Sequence, residues 1–338
     1  MKPQISIIIP LYNCEKTLKF CLDAIKNLDY KNYEVILVND CSTDKTLKIA
    51  QEFKFKIINL KQNLGAANAR NTGAEQAKGN ILLFTDSDIV LPSDTLNKVE
   101  SYYKSGNKIF IGRFSPKLRF KNIFSQYKHL YLCYYYSKQD KYLHTLDTSL
   151  TVIPRKTFLE FGGFKNQLRI SEDAELGTRL TRAGELITQS NELEMEHIRH
   201  YSLQGFIQTD FIRGKRFSRL FLSSLFKDKE QRREGKKAKS FFLKPITLYL
   251  SVGIMPFLLL ALIFFLIFRN LLSFYIFFFF ILLFVSFNLE FWHYLAKHNG
   301  ELFAIKSLFI TILDMIVFDI GIGVTFLKFL SYGKKILK

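Results

Sequence analysis

The hydrophobic positions fall into two regimes. As far as about residue 240, short apolar runs alternate with stretches whose apolar residues recur at helical spacing; beyond it the chain is nearly continuous Phe, Leu and Ile. "ISIIIP" (5–10) predicts a buried strand, and Glu15 to Asn27 a helix carried by Leu18, Cys21, Leu22 and Ile25. "YEVILV" (33–38) follows as a second strand closing on Asn39 and Asp40, after which Ser42 or Thr43 is expected to cap a helix to about Phe53. "KFKIINL" (54–60) is a third strand, 65–77 a third helix and "ILLF" (81–84) a fourth strand. Such alternation predicts an α/β fold: a Rossmann-like, mixed but mainly parallel sheet with helices on both faces.

The apolar tail changes the picture. Ile246 to Phe268 carries no charge and is long enough to cross a hydrocarbon core of about 30 Å. A second uncharged run, 271–289, follows after only Arg269 and Asn270, so a helical hairpin is expected, with Pro256 kinking its first arm. Residues 302–330 are apolar but interrupted by Lys306, Asp314, Asp319 and Lys328. Each central Asp costs roughly 2.5–3.5 kcal/mol on insertion, so an interfacial or re-entrant helix is favoured there over a third crossing. Contacts between helices are the expected use of Asp314 and Asp319.

Charge sharpens the boundary. The chain has 338 residues and a formal net charge of +18, and residues 213–244 alone hold twelve Lys or Arg against Asp228, Glu230 and Glu234. Because this cluster directly precedes the tail, it points to an anionic membrane surface rather than nucleic acid, and keeps the preceding domain on the cytosolic side of the cytoplasmic membrane. The expected organisation is a catalytic domain at 1–212, a basic juxtamembrane segment at 213–244 and a multi-pass membrane domain at 245–338. Cys14, Cys21, Cys41 and Cys133 show no metal-type spacing and read as reduced and structural. The N-terminal apolar run is too short for a signal peptide.

The chemistry lies at the strand ends. In open sheets of this class ligands sit beyond the carboxyl ends of the strands. Those ends carry Pro10 with Tyr12, Asn39 with Asp40, and Asp86 with Asp88 in "FTDSDIV". A lone Asp after a strand is most often a cap or turn residue. Two at i and i+2, on an edge that also collects Asp40, suit a hard divalent cation, Mg2+ or Mn2+, which takes oxygen ligands and in turn binds phosphates. There is no GxxxxGK[ST] loop and no GxGxxG after the first strand, which removes the main support for ATPase and dinucleotide oxidoreductase readings. Instead "NLGAANARNTGAEQAKGN" offers Gly65, Arg70, Asn71 and Gly73 on the segment leading to the carboxylates.

Five pieces in order, "SIIIPLYNCEKTLKFCLDAI", "VILVNDCSTDKT", "NLGAANARNTGAEQAKGNILLFTDSD", "TVIPRKTFLEFGGF" and "SEDAELGTRLTRAG", resemble glycosyltransferase family 2, inverting enzymes of the GT-A fold, in its bacterial type with C-terminal membrane helices. The resemblance implies a nucleotide site at Pro10, Tyr12, Asp40, Arg70 and Asp86, with Asp40 accepting from the base. It implies metal ligation by Asp88 and Asp86 (a DxD motif), and a catalytic base at Asp173 beside Glu172. Asn39 departs from the Asp more frequent at that position. His197 and His200, in "EMEHIRHYS", are further candidates for a metal ligand or a diphosphate contact, as a His is in some GT-A enzymes.

The function implied is metal-dependent transfer from a nucleotide-diphosphate sugar, a UDP-sugar first, to a lipid-linked or glycan acceptor, as in cell-envelope polysaccharide synthesis. Alternatives are a polyprenyl-phosphate glycosyl synthase and a non-catalytic membrane-surface protein with a transferase-like domain. "QTDFIRG" (208–214) lacks the QxxRW element of processive synthases. Thr148 to Thr151 and Gly162–Gly163 are expected to shape the sugar and acceptor pocket. The stripe Phe120, Phe124, Tyr127, Tyr131 and Tyr134 beside Lys121 and Lys128 is expected to pack on its own domain, with a lipid-facing helix as the sharper alternative.

Overall fold

The computed structural model describes residues 4–168, 171–233 and 245–333, the side chains of 220 and 223–233 excepted. The rest of the basic segment, 234–244, lies outside the described residues.

The chain divides into two compact units, 1–119 with 139–199, and 120–138 with 200–338, so it passes from one to the other three times. In the first, β1 (Ile5–Leu11), α1 (Leu18–Lys26), β2 (Tyr33–Asn39), α2 (Thr46–Gln51), β3 (Lys56–Asn59), α3 (Ala66–Glu75) and β4 (Ile81–Thr85) realise the predicted alternation. The first unit continues through β5 (Ile89–Val90), α4 (Thr95–Lys104) and β6 (Ile109–Phe114).

Helix α5 (Ile123–Ser137) belongs to the second unit, and the chain then returns to the first for β7 (Tyr142–Leu143), β8 (Leu150–Pro154), α6 (Arg155–Glu160), α7 (Glu172–Arg182) and β9 (Ile187–His197). The strands order as β3-β2-β1-β4-β8-β6-β9-β5, with β7 also on β9. Pairing is parallel from β3 to β4 and antiparallel across β8. Ile5, Ile7, Ile8 and Ile9 are fully buried, as expected of a central parallel strand covered on both faces.

The start of α2 differs from expectation. Neither Ser42 nor Thr43 caps it; Asp44 Oδ1 accepts the Thr46 N–H at 2.9 Å, and Ser42 Oγ instead accepts the Asn13 N–H at 3.2 Å. The hydroxyls go to the turn between strand ends, leaving the carboxylate nearest the helix start to satisfy it.

The second unit is helical: α5, α8 (Leu203–Arg233), α9 (Ile246–Phe268), α10 (Leu271–Asn299) and α11 (Glu301–Tyr332). The boundary expected at 212 falls inside α8. Helices α9, α10 and α11 are each long and apolar enough to cross a membrane. Their bounds extend the expected 271–289 to Asn299 and 302–330 to Tyr332.

The aromatic stripe of α5 packs on this helical unit. Tyr127 is fully buried, its ring 5.7 Å from that of Phe291 and its hydroxyl 3.3 Å from both Thr311 Oγ1 and Asp314 Oδ2. Lys128 is buried too, bonded to Asp210 and, at 3.0 Å, to Asp314. Arg213 reaches the same two acids at 2.7 and 3.3 Å. Asp314 is thus ion-paired between helices, which weakens the insertion-cost argument against a third crossing, since that argument assumed an isolated carboxylate.

Candidate active site

Strands β1, β2 and β4 are parallel neighbours, so their carboxyl ends open on one edge. This places Pro10 and Tyr12, Asn39 and Asp40, and Asp86 and Asp88 side by side, as the strand-end argument expects. Tyr12 is 52% exposed, a large ring left uncovered just past the end of β1. Asp40 is buried, and its two oxygens accept the Leu64 and Gly65 N–H groups at 2.8 Å each. It therefore shapes the turn into α3 first, and any base that it receives shares those oxygens. Gly65, at φ +91°, is required by that turn.

Arg70 projects from α3 and is buried, with its guanidinium fork spent on two carboxylates: Nη2 to Asp86 Oδ1 at 2.7 Å and Nη1 to Glu172 Oε1 at 2.8 Å. Where the resemblance implies a nucleotide contact, the geometry gives a strut joining a strand end to the start of α7. Glu172 is correspondingly held by Arg70, while its neighbour Asp173 keeps Oδ1 on the Ala174 N–H at 2.7 Å. Helix α7 starts where "SEDAEL" predicts, with Ser171 in the left-handed region at φ +64° and no side-chain cap bond from it.

Asp88 is met from β9. The antiparallel pair β5–β9 sets Ile89 opposite His197, and His197 Nε2 lies 3.3 Å from Asp88 Oδ2. The Phe114 ring, 5.5 Å away, backs the imidazole. His200 is not part of this arrangement; its ring meets Phe120 in the helical unit.

The acids divide by environment. Burial pushes Asp88 up, but the hydrogen bond and charge of His197, with Arg199, outweigh it and hold Asp88 below the usual carboxylate range. Asp86 goes the other way, raised by burial and then by Asp88 and Asp147 against the pull of Arg70. Asp173 is raised to about 7 by burial, then by Asp147 and Glu172. A carboxyl group titrating near neutrality in a cleft is suited to proton transfer.

The donor set fits a cation only jointly with a ligand. Asp88 Oδ2 and His197 Nε2 converge, whereas Asp86 is engaged by Arg70 and, at 3.4 Å, by the Ser149 hydroxyl. Among the described residues no three His, Cys, Asp or Glu side chains are grouped to hold an ion. Mg2+ commonly keeps several waters and binds through one or two carboxylates plus phosphates. Sequence reasoning missed Asp147; its only signal was an acid two residues before Ser149, which any turn could carry.

Residues 6–159 match the model of the family described as "Glycosyl transferase family 2". The chain is 42% identical over 105 residues to "Glycosyltransferase GlyA" of Streptococcus pneumoniae serotype 4, covering 30% of this chain and 15% of that protein. It is 33% identical over 122 residues to the poly-beta-1,6-N-acetyl-D-glucosamine synthase of Staphylococcus epidermidis, covering 35% and 30% respectively. The chain thus spans less than half the length of these relatives. A solved mannosyltransferase from Pyrobaculum calidifontis, in complex with GDP-Man and Mn2+, superposes with a TM-score of 0.50 at 20% identity, covering 64% of this chain and 62% of the other, which shows the shared fold. Residues 6–159, just under half of the chain, thus carry the similarity to glycosyl transferase family 2.

Proposed function

We propose that the chain is a membrane-anchored, inverting, metal-dependent glycosyltransferase that moves a sugar from a nucleotide-diphosphate donor, a UDP-sugar first, to a lipid-linked or glycan hydroxyl. The observation that carries this reading is the division of the acids: Asp88 held ionised beside His197, and Asp173 left with a proton affinity near neutrality on the helix that Arg70 ties to Asp86.

Pro10 and Tyr12 bound the place for the base, and the turn that Asp40 braces closes it. Asp88 and His197 would hold an Mg2+ or Mn2+ ion, which supplies positive charge to the leaving diphosphate. Asp173 takes the proton of the acceptor hydroxyl as its oxygen attacks the anomeric carbon opposite the leaving group, which inverts that centre. Glu172 stays bonded to Arg70 and fixes the start of α7. The name of one relative, the poly-beta-1,6-N-acetyl-D-glucosamine synthase, agrees with a nucleotide-sugar donor. The three apolar helices agree with a membrane anchor, and the basic segment before them with a cytosolic catalytic domain.

Calorimetric titration of the purified chain with UDP, with and without Mn2+, tests the reading. Binding that needs both Mn2+ and Asp88 supports it. Binding that is unchanged in Asp88→Ala, or absent with every nucleoside diphosphate, overturns it.

A further inference from the structure

One short segment serves both sides of the cleft. Gly177 lies on α7, and a Cβ there would sit 2.6 Å from the Leu146 nitrogen and 2.6 Å from the Thr145 Cα. The helix that begins with Glu172 and Asp173 is therefore seated directly on the backbone of 145–146. One residue further, the Asp147 carboxylate accepts the Ser149 N–H at 2.8 Å, and its carbonyl accepts the Thr151 hydroxyl, closing a tight turn into β8. The last residue of β4, Thr85, donates to the Ser149 carbonyl at 2.8 Å, and the Ser149 hydroxyl reaches Asp86 Oδ2 at 3.4 Å. The same turn carries α7 on one side and contacts Asp86 on the other.

We infer that Asp147 is a positioning residue for sugar transfer, bracing the turn on which α7 and Asp86 both depend and setting the pH range in which Asp173 works. This rests on the proposed role of Asp173 as base. The groups acting on Asp173 are Asp147 from the turn, Glu172 from its own helix, Arg70 from α3, and the Ala174 N–H; of the charged groups, Asp147 acts most strongly. Asp147 also acts on Asp86. A carboxylate that only closed a turn would be replaceable by its amide without any change in pH dependence.

The experiment follows UDP release from a UDP-sugar, with water as acceptor, by the full chain in detergent across pH 5–9. Asp147→Asn keeps the oxygen that accepts from Ser149 and removes the charge. The acidic limb of kcat/KM should move down by about half a unit to one unit, with the plateau within about twofold of the parent. Asp147→Glu should return the limb toward its original position, and Asp147→Ala should lower the plateau as well. An unmoved limb in Asp147→Asn, or uniform loss at every pH, overturns the role of Asp147 while leaving the transferase reading intact. Absence of UDP release from the parent with every UDP-sugar sinks that reading, and the role of Asp147 with it.

Discussion

Each unit contains a buried charge cluster, and the two are built on opposite principles. In the helical unit two bases meet two acids: Lys128 and Arg213 each touch both Asp210 and Asp314, while the Tyr127 hydroxyl meets Asp314 and the Tyr131 hydroxyl accepts from Arg213. In the sheet unit a single buried arginine, Arg70, bridges Asp86 and Glu172, with Asp88, Asp147 and Asp173 further around the cleft. The first cluster is neutral in itself and belongs to packing. The second carries excess negative charge at a strand edge, and an anionic diphosphate adds more. For the proposed diphosphate donor, a bound cation would join His197 and Arg199 in offsetting that charge. Balance, more than burial, separates the packing cluster from the candidate site.

The sharpest way to break this contrast is at Asp173. Asp173→Asn should cut transfer by about 10²–10⁴-fold, the usual share of a general base, while UDP binding measured by calorimetry stays within about twofold. Near-normal turnover would remove the functional cluster from the comparison. At Asp314 the opposite signature is expected: Asp314→Ala leaves two buried cations facing one acid and should destabilise the helical unit by roughly 3–5 kcal/mol. Combining it with Lys128→Met should recover part of that loss in a detergent melt. A single variant that melts like the parent would show that the cluster does not hold the helices.

Arg70→Lys keeps the charge but loses the two-pronged geometry. It should lower kcat/KM by about 10–100-fold, in line with loss of one charge-assisted bond. The smallest effect concerns pH. The proposed base acts deprotonated, and the folded-state pKa of Asp173, about 7, lies above the ordinary carboxylate value, so on that proposal kcat/KM should fall as pH drops through about 7. The same raised value means that folding favours the protonated group, so stability is lost as pH rises from about 4 to 7. Asp173→Asn should therefore melt slightly higher than the parent at pH 8 and equally at pH 4.

The parallel strands were legible because each is a continuous apolar run ending on polar residues, and their adjacency made Asp40, Asp86 and Asp88 a single site. Asp173 is a candidate through the pieces around it, which together resemble a family, and its role stays a proposal. Other features depend on distant partners. Lys128 stands beside an aromatic stripe in the sequence, but its partner Asp314 is 186 residues away, so no local pattern marks the pair. Arg70 reaches Glu172 across 102 residues, so its part as a strut between α3 and α7 has no local mark in the sequence. Asp147 resembled any turn acid, because its effect on Asp173 comes through space. The cap of α2 was misjudged by one or two residues, since three hydroxyl or carboxylate side chains in a row compete for it.

The placement of α5 between two halves of the sheet unit also sets a schedule. A ribosome adding 5–20 residues per second makes Lys128 roughly 4–16 s before Asp210, 82 residues on, and about 10–40 s before Asp314. Arg213 emerges three residues after Asp210, so until the last helix is made the cluster holds two cations and one anion. Helix α11 then carries in Asp314, the second acid, and with it the charge that balances the cluster.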